Sequence, residues 1–163
     1  MTLDSARREK LAVQFEVDNA IGIALLFLGE LFRTEPDSAK WLMQSEEYFR
    51  AALALRPRSV RVLQNMGLLY MIRGDQPGNE PTKDRELYEQ ARDFVAQSLK
   101  LNCFDQFPHF QMALLAIKTG DWATAKTSVE TGMKQKGAVS AEKWATIREA
   151  IDAQDISKVR GMR

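Results

Sequence analysis

Apolar positions along the chain recur at helical spacing, most clearly over residues 59–75, SVRVLQNMGLLYMIRGD. There Val60, Leu63, Met66, Gly67 and Tyr70 share one face, with a glycine where a second helix can come close. The stretch stops at Gly74-Asp75, because glycine can adopt the left-handed conformation that ends a helix and aspartate can cap the next one. A helix-turn-helix unit is expected here.

The same pattern extends in both directions. Asp4 or Ser5 can cap a first helix, one long or two, which runs to the turn signal at 35–38 where Pro36 stops it. Its second half, residues 20–32, is apolar nearly all round, as expected of a helix contacted on more than one side. Asp37 or Ser38 caps a second helix, with Leu42, Ser45, Phe49, Ala52 and Leu53 on one face, ending at Arg56-Pro57. Residues 76–87, rich in Pro, Gly, Asn and charge, read as a surface loop. A helix from about Leu87 follows, then one opened by Pro108 and stopped at Gly120-Asp121, then another over 122–136. A last helix at 140–153 carries Trp144, Ile147 and Ile151 on one face, and the tail 156–163 is expected to fray.

Internal repetition organises these helices. An offset of 34 residues places Tyr88 on Trp122, Ala91 on Ala125, Val95 on Val129 and Leu99 on Met133, small on small and large on large. An offset of 46 places Met66-Gly67 on Met112-Ala113, Gly74-Asp75 on Gly120-Asp121, Ser45 on Ala91 and Phe49 on Val95. The offsets differ by 12, the length of 76–87, so that loop reads as an insertion within one of three helical hairpins.

A hairpin of about 34 residues, whose first helix reads large-xx-large-Gly-xx-Tyr and whose second carries a small residue with a large one four positions on, resembles the tetratricopeptide repeat (TPR). The resemblance covers roughly residues 21–136 and implies an all-α fold, an α-α superhelix or TPR-like helical hairpin solenoid. It divides a single domain into a helical extension (4–20), repeat 1 (21–57), repeat 2 with its inserted loop (58–105), repeat 3 (106–138), a capping helix (139–155) and a tail (156–163). His109, Ala116 and Cys103 depart from the pattern. Repeat 1, registered on Leu25, Leu28-Gly29 and Phe32, carries about four extra residues.

In this family the first helices of successive hairpins line a concave groove. The resemblance assigns to it Arg61, Gln64, Asn65, Leu68, Met71 and Ile72, then Phe107, Phe110, Gln111, Leu114, Ile117 and Lys118. The first repeat adds Ile23, Leu26, Phe27, Glu30, Arg33 and Thr34. Members that grip an acidic peptide terminus use Asn with several basic residues; Asn65 matches, but Phe107 and Gln111 stand where basic residues are needed.

Composition and charge narrow the function. At 163 residues, with 45% hydrophobic and 28% charged positions, the chain fits one globular domain. The net charge of +1 supplies no field for nucleic acid or an anionic membrane. A single cysteine, Cys103, read as a half-buried structural thiol, excludes an internal disulfide framework and fits a reducing compartment. The charged start argues against a secretory signal, so a cytoplasmic location is expected. The apolar run at 20–32, interrupted by Glu30, is short of the roughly 20 residues that cross a bilayer, so no transmembrane segment is expected.

Catalytic chemistry finds little footing. His109 is the sole histidine, so no catalytic triad forms except around it and no His-rich metal site exists. No phosphate-binding glycine motif occurs, and Glu46, Glu47, Asp84, Glu86 and Glu89 read as solvated charge. Neither enzyme activity nor a cofactor is expected. The apolar groove suits an amphipathic helix or extended segment of a partner protein, oriented by Asn65 and Gln111, as in an adaptor, scaffold or assembly factor. The same stripe would equally accept the chain's own first helix or a second copy, giving a homodimer. Two further readings are a secretion-type chaperone of the three-repeat class, loosely resembled by residues 104–126, and a structural homo-oligomer built through the first helix.

Overall fold

The computed structural model describes residues 3–159 and 162 and is all-α. It comprises α1 (Leu3–Leu31), α2 (Ser38–Leu55), α3 (Val60–Gly74), α4 (Pro81–Leu101), α5 (Gln106–Lys118), α6 (Trp122–Gly132) and α7 (Ala141–Ala153), followed by a 3-10 turn at Ile156–Val159. Packing is most extensive within the pairs α1/α2, α3/α4 and α5/α6, so three hairpins follow one another along the chain, and α7 covers α5 and α6. Helix α3 is the centre of the molecule: nine of its residues, from Val62 to Gly74, are buried.

Local chemistry explains most helix starts. Ser59, Asp105, Asp121 and Ser140 each cap a helix by accepting a hydrogen bond from a backbone N–H two or three residues on. Gly120, at φ +78°, occupies the left-handed region expected of a glycine that ends a helix. Gly74-Asp75 behaves differently from its counterpart at 120–121. Gly74 is helical and makes room for the Tyr88 ring, and Asp75 bonds Tyr88 and Lys118 instead of capping the next helix.

Five further expectations are corrected. Asp4 and Ser5 lie inside α1, which is a single continuous helix, and the Ser38 hydroxyl donates to the carbonyl of Gly29 at 2.8 Å instead of capping α2. The loop expected over 76–87 ends at Glu80: Pro81 takes the first helical position, where its missing N–H costs nothing, and Asp84 complements the helix dipole, so 81–87 forms the opening turns of α4. The tail does not fray over its described part, for Val159 is fully buried and Met162 packs on the core.

The fifth correction concerns the register of the first hairpin. A Cβ on Gly22 would lie 2.6 Å from the Phe49 ring, as one on Gly67 would lie 2.6 Å from Val95. One on Gly29 would meet Leu42, as one on Gly74 would meet Tyr88. Gly22 and Gly29 therefore correspond to Gly67 and Gly74, two turns away from the alignment that matched Gly29 to Gly67. Two turns nearly restore the direction of a side chain, so the face was legible while the height was not. In the corrected register the first two hairpins share the same long form, with helices of 29 and 18 residues and of 15 and 21, and the third, with 13 and 11, is the short one. The extra residues are thus no private insertion in repeat 2.

The close approach of α3 and α4 gives a direct check. Gly67→Leu would drive a branched side chain into Val95 and the carbonyl of Ala91, and is expected to lower unfolding free energy by about 1–3 kcal/mol in chemical denaturation. A variant as stable as the parent would contradict this packing.

Candidate functional site

The predicted groove is largely filled by the fold itself. Leu26, Met71, Ile72, Phe110, Gln111, Leu114 and Ile117 are all buried and belong to the core, so they present no surface to a partner. The reason is direct packing of α3 against both α1 and α5. The Asn65 side-chain amide donates to Asn19 at 3.2 Å, that of Gln111 donates to the carbonyl of Gln64 at 3.1 Å, and that of Gln64 donates to Asp105 at 3.0 Å. Phe110 meets Trp144 of α7 edge-on, with ring centroids 5.6 Å apart, and the 3-10 turn also packs on α5. Ile23, Leu68 and Phe107 are half-buried against this core. Arg61 is exposed and holds Glu16 at 2.6 Å.

At one end of the inner helices the packing opens into a cavity of about 760 Å³ lined by Arg33, Thr34, Gln76, Asp84, Tyr88, Lys118 and Ile156. Its floor is a polar cluster that the sequence reading missed. Lys118 reaches Asp75 at 2.6 Å, with only 5% and 11% of the two side chains exposed, and the Tyr88 hydroxyl donates to the same carboxylate at 2.8 Å. Burial, and then the negative charges of Asp75 and Asp84, push the Tyr88 phenol far above its ordinary value, so it acts as a fixed donor. Asp84, expected to be solvated, has one carboxylate oxygen buried with no hydrogen-bond partner.

Glu46 was also expected to be solvated, and instead joins the first hairpin to the second. Its carboxylate accepts from Tyr70 at 2.7 Å and from Arg50 at 2.8 Å and pairs with Arg73. Burial alone would raise its pKa, but the bonds from Tyr70 and Arg50, with the charges of Arg73 and Arg50, outweigh that and hold the carboxyl below its ordinary value.

A second feature, on the surface, lies on α1. Its inner face, Phe15, Gly22, Leu26 and Gly29, is buried, with both glycines packed against α2. The opposite face is not covered: Val13, Val17, Phe27 and Leu31 are 58%, 44%, 61% and 73% exposed, and Ala20 and Ala24 between them are also exposed. Helix α1 is thus also apolar on a face that its neighbours α2 and α3 leave uncovered. Phe27, assigned to the groove, is one of these exposed residues. By length and composition the helix Asp4–Leu31 is long and apolar enough to cross a membrane, which the shorter run at 20–32 is not.

The residues weighed for chemistry are placed as follows. His109 is buried and its Nε2 lies 3.0 Å from the carbonyl oxygen of Cys103, whereas Cys103 itself is exposed, not half-buried. Among the described residues no three His, Cys, Asp or Glu side chains gather as a metal site. The fold defines the chain as an all-α protein of consecutive hairpins. Compared with protein-family models, curated proteins and solved structures, it finds no match.

Proposed function

We propose that the protein is a non-enzymatic protein-interaction module built from helical hairpins of the tetratricopeptide kind, and that its docking surface is the outer apolar face of α1. The exposed stripe from Val13 to Leu31 carries this reading, because soluble proteins seldom leave contiguous apolar surface of this extent without a use for it. The hairpin packing around Gly67 and Ala91 supports the family reading, although the first two hairpins exceed the repeat's ordinary 34 residues. A secretion-chaperone role is not favoured, since it needs the inner face that Met71, Phe110 and Leu114 fill.

Affinity capture from the native cell, read by mass spectrometry, tests the surface. Proteins retained by the parent, a second copy of the chain included, are expected to be lost with Phe27→Glu and kept with Met43→Glu, an exposed position on α2. Identical sets captured by the parent and Phe27→Glu would reject the proposal.

A further inference from the structure

We propose that the occupant of the α1 face is a second copy of this chain, bound through α1 in an antiparallel, two-fold symmetric pair. The inference rests on the reading above and names the partner of that same surface. Val13, Val17, Ala20, Ala24, Phe27 and Leu31 follow one another at alternating spacings of four and three, which keeps them on one seam of a helix pair.

The order of side chains along the seam is self-complementary. Turned end over end about residue 22, the helix sets Val13 against Leu31, Val17 against Phe27, and Ala20 against Ala24. Each of the four outer layers then holds one medium and one large side chain, and each of the two central layers holds a pair of alanines, so the axes come closest at the middle of the pair. Parallel pairing would stack Phe27 on Phe27 and Leu31 on Leu31 at one end and splay the helices. It would also bring Lys10 against its own copy, whereas the antiparallel pair carries Lys10 to the level of Thr34 and opposes the two helix dipoles favourably. A symmetric contact of this kind uses one patch twice and closes on itself.

Surface shape agrees. A shallow depression of about 580 Å³ lies between Val13, Val17, Ala20 and the side chain of Arg56. In the antiparallel register Phe27 of the second copy arrives opposite Val17, in the middle of that depression. The seam lies opposite the face that packs on α2, so both bodies point away from the contact. With Leu28, the seam exposes on the order of 500 Å² per copy, or about 1,000 Å² across the pair, the lower bound for a specific interface.

Sedimentation velocity from micromolar to near-millimolar protein, together with disulfide trapping, tests the pair. In a Cys103→Ser background, Val13→Cys mixed with Leu31→Cys is expected to give a covalent dimer on oxidation, while each variant alone gives little. Phe27→Glu is expected to weaken self-association at least about 30-fold with helicity unchanged by circular dichroism. Trapping of each single-cysteine variant with itself would mean parallel pairing and overturn the proposal. So would a monomer at every concentration, including one that floats with phosphatidylcholine and phosphatidylserine vesicles. A monomer whose cellular captures still depend on Phe27 would sink the dimer alone and leave the interaction surface standing.

Discussion

Lys118→Met is expected to lower unfolding free energy by about 3–5 kcal/mol, measured by chemical denaturation near neutral pH. The methionine keeps much of the length of the lysine stem, so packing changes little; what is lost is the ammonium 2.6 Å from Asp75 at a site where both side chains are almost wholly covered. The Asp75 carboxylate is then left almost wholly covered without its main counterion. The paired variant Lys118→Met/Asp75→Asn, which removes the charge as well, should recover a large part of the loss. Equal cost for the single and paired variants would mean that the cluster contributes shape and not charge.

Phe49→Ala is expected to cost a similar 3–5 kcal/mol, because the ring is fully buried and fills the space over Gly22. The sharper test lies in the neighbouring glycine. In the parent, Gly22→Ala forces a Cβ to within 2.6 Å of the ring and should destabilise. In the Phe49→Ala background the obstacle is gone, and the same change should stabilise by roughly 0.5–1 kcal/mol through helix propensity. Gly29→Ala should remain destabilising in both backgrounds, since it meets Leu42. A sign change at Gly29 and none at Gly22 would restore the rejected register.

How far the chain could be read before its structure depends on what each signal encodes. Helices α2 to α7 were legible because their apolar faces repeat at helical spacing and Pro, Gly, Asp and Ser mark most ends. The start of α4 was missed because Pro, Asp and charged residues serve turns and helix N-termini alike. The height of α1 against α2 was hidden because Gly22 and Gly29 share a face two turns apart, and only Phe49 and Leu42 distinguish them. For the site, the sequence marked the stripe on α3 and α5 as apolar, but whether such a stripe is groove or core depends on how closely neighbouring helices approach. The α1 seam illustrates the converse: Val13, Val17, Phe27 and Leu31 look like core until the neighbours are in place and none lies over them.

Glu46, held by Tyr70 from the second hairpin and by Arg50 from its own, bears on how the molecule comes apart. Stacked repeats touch only their neighbours, and a chain of them can melt from one end while the rest stays folded. Release of the first hairpin would break the bonds of the half-buried Glu46 carboxylate to Tyr70 and Arg73 together, which opposes separate melting of that hairpin. Thermal unfolding should accordingly follow one cooperative transition, with calorimetric and van't Hoff enthalpies in agreement.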